Sequence, residues 1–456
     1  PVNLQNLDIT QASNARINDT GNLNMTNALV TNLLDINAAG PVSVSGSAST
    51  LNVSTSTGGI QNGTAALTVT GVTTLDAGNS DINLAAANDF NLLEITAAQD
   101  VTVNDINAID LQNINTRDFN LTTGGNITQA TGTVMSSARA ASMDAGTADI
   151  ILGENNLFTA LALNANTATV VNNQALVLND STLGDSLNLT TQNGDLSINR
   201  IQAANTVSVT TDGALLNLNG NADNIIANSA TLQAASGIGN GSQINVRVTS
   251  LQALNTNSGD ITITNAGGNI TLDNIVNTAT DTGNFNFISS NDVIINQIVL
   301  DKTLDQAFFN NGTGTVNMFS ANGSFLGVGD ADINNPDITA TNLRLIGVKG
   351  TLGTIQRPMV LDISGKVELL MRASLNPTYA PPAPLPGDIQ DDSIFRFISI
   401  DTLSAVNGVQ LTEVENIRDI NPAIFTDIHH FLVDANPVML PKDQRFDDGY
   451  TLEEDD

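Results

Sequence analysis

Three groups of residues in this sequence have types and spacings that could do chemistry. His429 and His430, with Asp427 and Asp434 close by, offer the imidazole and carboxylate ligands that hold zinc. Neighbouring residues on a helix point about 100° apart, so the two histidines do not share one ion as a pair at i and i+4 would, and a surface pair is expected. Asp330, Asp332 and Asn334 carry the oxygen spacing of a calcium loop but lack its turn glycine and terminal Glu, so a plain acidic turn is expected. The third group is Arg16, Arg117, Arg139, Arg200 and Arg247, set among many carboxylates. Polysaccharide cleavage needs clustered carboxylates, often beside a cation, and aromatic platforms for sugar rings. Up to residue 301 there is no Lys, His, Trp or Tyr, and the five arginines are scattered, which places them at solvated turns or rims. No phosphate-binding glycine loop or Gly-x-Ser-x-Gly elbow stands in a strand-to-helix setting, and there is no cysteine nucleophile. The expectation is a protein that is not an enzyme, with no catalytic, cofactor-binding or metal-binding residue assigned.

The elements that would position such residues are written in the composition. The 456 residues carry a formal charge of −31, yet only 13% are charged and 41% are hydrophobic, so the surface is filled by neutral Asn, Thr, Ser and Gly. Leu, Ile and Val alternate with polar residues, supplying the apolar surface that a disordered acidic chain lacks. The acidity argues against nucleic acid, because there is little positive charge to replace the counterions of a phosphate backbone. No run of 18 apolar residues encodes a transmembrane helix, and no membrane insertion is expected. The start at Pro1, without a basic-then-apolar leader, reads as a mature or excised chain.

Proline divides the chain: after Pro41 none appears until Pro336, and ten follow between 336 and 441. Since proline cannot donate to a ladder, the first 300 or so residues read as uninterrupted β-structure. One short unit recurs there, as in Gly259-Asp260-Ile261-Thr262-Ile263 and Gly268-Asn269-Ile270-Thr271-Leu272, with relatives beginning at Gly21, Asp81, Asp100, Asp118, Gly125, Asp149, Gly194, Gly283 and Asp292. Apolar residues at period two share one face, and Gly with Asp or Asn supplies a turn able to take positive φ. Equivalent positions lie 18 to 24 residues apart: Ile82 to Val101, Val101 to Phe119, Leu187 to Val207, Ile261 to Phe285, Ile270 to Val293. A drifting period of strands and turns, with no helical pattern between them, marks a β-solenoid. Each coil lacks a wall that its neighbour supplies, so repetition is a physical requirement. At about 4.8 Å per coil the rod would be on the order of 85 Å long. Asn126, Asn269 and Asn284 sit where stacked amide ladders could form, though Asn also simply suits tight turns.

The units at 194, 259 and 268, "ASGIGNGSQINV" at 235–246 and "GTLGTIQRPMVLDISGKVELL" at 350–370 resemble the repeats of filamentous-haemagglutinin-like large exoproteins of bacteria. The resemblance covers 183–372, and 1–182 look similar but looser. It implies a right-handed parallel β-helix, exported by two-partner secretion and displayed or released as an adhesive rod. The family's N-terminal secretion domain, with its Asn-Pro-rich motifs, is not recognisable at Pro1 to Val30.

The code changes after residue 372. Residues 373–390 form a proline-rich linker, expected to be extended. Within 391–456, two alternating runs flank Asn407-Gly408, a hairpin signal. Asn421 and Pro422 then open a short amphipathic helix with Phe425, Ile428 and Leu432 on one face, stopped at Asn436-Pro437 and followed by an acidic tail. Such a segment can cap the raw last coil of its own rod, or add a strand to another molecule and build a polymer. The expected architecture is thus all-β: a rod over 1–372, the linker, and a hairpin-plus-helix end. The expected role is a secreted, extracellular structural or adhesive rod that self-associates and meets a cell-surface or matrix receptor. The alternatives are the stalk of a giant adhesin or toxin-delivery exoprotein and, from another class, a carbohydrate-active β-helix.

Overall fold

The computed structural model describes residues 3–279, 283–300, 314–328, 336–347, 350–353, 357, 359–363, 366–371 and 410–411. Within them every strand pairing is parallel and joins one coil to the next, giving a β-solenoid of about 15 turns. Ile261–Asn265 pairs with Phe285–Ser289, Ile261 beside Phe285, and Ile270 lies beside Val293. Leu187 stacks on Val207 and Val101 on Phe119. These are the spacings at which the apolar pattern recurs. Among the described residues no helix is long and apolar enough to cross a membrane.

Ile261 and Ile263 are fully buried while Thr262 between them is partly exposed, and Ile270 and Leu272 repeat the arrangement around Thr271. Inward side chains of successive coils merge into one continuous core. Burying a Leu or Ile side chain contributes about 1.5–3 kcal/mol, but only when the next coil covers it.

About 15 turns correspond to a rod on the order of 70–80 Å, the same order of length as the sequence suggests. The coils lengthen toward the C-terminal end: Asn286 meets Asn317 across 31 residues and Ser324 meets Thr351 across 27.

Positive φ is only part of the glycine requirement. Gly259 (φ 85°) and Gly194 (φ 146°) take the expected conformation, whereas Gly125 does not. At Gly125 the reason is crowding: a Cβ would lie 2.7 Å from the backbone nitrogen of Ala108 in the coil before. Gly268 shows neither constraint.

Gln410–Leu411 forms one further parallel rung on Lys366–Val367, so the chain returns to the last coil after the linker. The rest of the expected hairpin, the linker and the 421–437 helix lie outside the described residues, as do His429, His430, Asp330, Asp332 and Asn334.

Candidate functional site

The recurring Asp or Asn sits one residue before each strand, where a corner leaves a backbone N–H without a ladder partner. In the structure its side-chain oxygen accepts the equivalent N–H of the following coil. Asp260 Oδ1 accepts from Asn284 N at 2.8 Å and Asn284 Oδ1 from Thr315 N at 3.0 Å. On the next face Asn269 accepts from Asp292 N (3.3 Å), Asp292 from Ser324 N (2.7 Å), and Ser324 Oγ from Thr351 N (3.0 Å). Asn126 does the same for Asp149 N at 3.0 Å. Asn126 and Asn269 therefore bond backbone, not one another. Asn284 does so too, while its Nδ2 donates to Asp260 Oδ2 at 3.2 Å. Amide-to-amide bonds form at other positions: Asn317 Nδ2 donates to Asn286 Oδ1 at 3.0 Å, and Asn255 Nδ2 to Asn277 Oδ1 at 3.0 Å. A second set of polar side chains ends the inward rows and closes the corners from inside. Asn255 Nδ2 donates to the carbonyls of Ser258 and Gly259, Thr211 Oγ1 to that of Gly194, and Thr123 Oγ1 to that of Gly125.

The densest polar sites are two buried amides. Asn88 Oδ1 accepts from Asn62 Nδ2 (2.5 Å) and Leu67 N (2.9 Å), and its Nδ2 donates to the carbonyls of Leu84, Ala86 and Asn104. Asn156, 68 positions on, repeats this: Oδ1 accepts from Gln129 Nε2 (2.8 Å) and Met135 N (2.9 Å), and Nδ2 faces the carbonyls of Leu152, Glu154 and Val171. The neighbourhoods match as well. Asp76 accepts from Gly78 N as Asp144 does from Gly146 N. Phe90 N donates to Asp105 Oδ2, and Phe158 N to Asn172 Oδ1, both at 2.7 Å. The sequences "LDAGNSDINLAAANDF" (75–90) and "MDAGTADIILGENNLF" (143–158) carry this duplication. The two copies occupy different faces: Asp105 stacks on Thr123, in the column that Leu183 continues, whereas Asn172 stacks on Thr191, eight residues beyond Leu183.

Asp105 is the buried ionisable member of the set. Burial pushes its carboxyl up to about 6, against the opposing effect of N–H donation from Phe90 and Asn107, and Asp89 adds to the rise. On the outside, the arginines that looked scattered are paired across coils. Arg117 donates through Nε and Nη2 to Asp100 at 2.9 and 2.6 Å, Arg139 pairs with Asp118, Arg16 with Asp35 and Arg247 with Asp223. Arg200 donates to Gln202. The Arg139 hydrogen bond holds the Asp118 carboxyl below the usual carboxylate range, and hydrogen bonds from Thr167 and Asn166 do so for Asp149. These guanidinium side chains are 43–72% exposed, so the pairs align coils more than they stabilise them. Among the described residues no three His, Cys, Asp or Glu side chains are grouped to hold a metal ion. What the arrangement does chemically is satisfy the corners of stacked coils.

Comparison with known proteins agrees with the duplication. Residues 32–96 and 98–164 each match a family described as repeats of unknown function (DUF5649). No curated protein and no solved structure matches the chain.

Proposed function

We propose that this chain is a secreted, extracellular structural rod of the filamentous-haemagglutinin-like kind, exported by two-partner secretion, whose output is length and adhesive surface. The observation that supports this best is the use of its polar groups. In the described coils the recurring Asp and Asn, the buried amides and four of the five N-terminal arginines bond to the coil before or after. Side chains that could do chemistry are committed to stacking, and the outer faces carry partly exposed Thr, Ser and Asn such as Thr169, Asn188, Ser208 and Thr231 in one column. A flat polar wall on a stiff acidic scaffold suits repeated weak contacts with a surface receptor, where many sites act together. End-to-end association through the C-terminal segment extends the same logic to a fibre.

Negative-stain images of the purified full chain, with binding of that chain to immobilised cells and extracellular matrix, test the reading. Fibres, or single rods on the order of 70–80 Å that bind, support it. Compact particles, or rods that neither bind nor assemble, overturn it.

A further inference from the structure

Seven asparagines in the chain precede a glycine: Asn62, Asn193, Asn219, Asn240, Asn311, Asn322 and Asn407. This dipeptide carries chemistry of its own, because glycine has no Cβ to shield its backbone nitrogen. That nitrogen can attack the asparagine Cγ, closing a five-membered succinimide while the side-chain amide leaves with the displaced proton as ammonia. Water then opens the ring at either carbonyl and leaves aspartate or isoaspartate, so one water is consumed for each ammonia released. No catalyst is needed. The reaction does require an amide free to rotate onto the following nitrogen, and a nitrogen free to meet it.

Asn311 and Asn407 lie outside the described residues, and of the other five pairs the fold holds four. Asn62 is 3% exposed, and its Nδ2 donates to Asn88 Oδ1. Asn193 stands in the left-handed region (φ 57°) with its Nδ2 donating to Asn173 Oδ1 at 2.7 Å, and Gly194 is packed so closely that a Cβ would lie 2.6 Å from Ala175 N. Asn219 Nδ2 donates to the carbonyl of Asp223 at 2.8 Å, while the carbonyl of Gly220 accepts from both Asn217 Nδ2 and Asn245 Nδ2. The Gly323 N–H, which Asn322 would need, donates to Ser320 Oγ at 3.0 Å. Asn240 differs from all four. It is exposed, as are Gly241 and Ser242, and among the described residues neither its amide nor the Gly241 N–H has a hydrogen-bond partner. A Cβ on Gly241 would meet nothing within 4 Å. The flanks of this tip are fixed to the coil before: Gly239 N donates to Leu215 O at 2.8 Å, and Asn217 Nδ2 to Gln243 O at 2.7 Å.

We propose that Asn240 is a site of spontaneous deamidation through a succinimide formed with Gly241, selected because the fold holds the other four described Asn-Gly pairs out of reach. The product adds one negative charge and, as isoaspartate, one extra main-chain carbon to a loop tip whose two ends stay tied to the neighbouring coil. Modified residues therefore accumulate on an intact rod. The inference holds whatever the rod contacts.

To test it, the full chain is incubated in mildly alkaline buffer, folded and in parallel unfolded in guanidinium chloride. Peptide mass spectrometry then locates the exchange of amide for carboxylate at each pair, and electron-transfer fragments separate isoaspartate from aspartate. Dividing each folded rate by its unfolded rate removes the effect of neighbouring sequence. This ratio should be at least about ten-fold higher at Asn240 than at Asn62, Asn193, Asn219 or Asn322, equivalent to about 1.4 kcal/mol of barrier. Gly241→Ala should slow the reaction at Asn240 by a similar factor, whereas Gly220→Ala should leave it unchanged. A ratio at Asn193 or Asn219 that matches the one at Asn240 overturns the proposal. So does an Asn240 as protected by folding as Asn62, or one whose rate Gly241→Ala leaves unmoved.

Discussion

Replacing Asp105 by Asn puts the duplicated buried sites against each other, because the second copy already carries Asn172 in that role. Asp105 is 1% exposed, and its two oxygens accept N–H groups from Phe90 at 2.7 Å and Asn107 at 3.0 Å. Since its folded pKa lies above the unfolded value, the protonated form is the one the fold favours. That stability is fully present below about pH 4 and is lost as pH rises through about 6. The rise from 3.8 to about 6 corresponds to about 3 kcal/mol between the two limits. Asp105→Asn removes the buried charge but leaves one N–H facing an amide nitrogen, a cost of about 1–2 kcal/mol. The variant should therefore be about 1–2 kcal/mol more stable than the wild type at pH 8 and no more stable, or slightly less, at pH 4.5. Because long repeat arrays depart from two-state unfolding, the local readout is hydrogen exchange of the Phe90 amide and its neighbours, corrected for intrinsic rates, at both pH values. Wild-type protection that does not change with pH, or a variant effect of the same sign and size at both, would refute the reasoning.

Other substitutions separate the contributions. Asn156→Leu strands several buried backbone groups and should cost about 3 kcal/mol or more, seen as lost exchange protection at Met135 and through 150–172. Gly194→Ala adds a Cβ 2.6 Å from Ala175 N at a φ of 146°, and the resulting strain should lower the denaturant midpoint of the surrounding coils. Leu189→Ala, in the middle of the core, should cost about 2–5 kcal/mol in the same measurement. Arg139→Ala removes an exposed pair and should change stability by less than about 1 kcal/mol, an effect that fades in high salt.

Much of the rod can be read from the sequence because its pattern is local. Alternation of Ile261, Thr262 and Ile263 behind Gly259-Asp260 marks strand and corner within five residues, and the distance to the next such unit is the coil. Contacts between coils are less legible. Arg117 finds Asp100 and Arg247 finds Asp223 only after the register is set, so along the chain each arginine looks isolated. The same holds for Asp260, whose task as acceptor for the next coil involves a residue 24 positions away. The 68-residue duplication does leave a signal in the sequence: "DAG" followed by "DI", "L", "N" and "F" at matching offsets occurs at 76–90 and 144–158. A period near 20 residues masks it, because the duplicated block is not a whole number of coils. The burial of Phe319 and Ile346, each only 4% exposed, is equally hidden, since the alternating pattern assigns both to water.

That fractional length has a mechanical consequence. A block equal to a whole number of turns would set Asn88 and Asn156 one above the other and draw a seam of irregular corners down one flank. Advancing by part of a turn per block instead staggers the two, like joints in coursed masonry, so that a sideways load along one flank meets only one of these two corners.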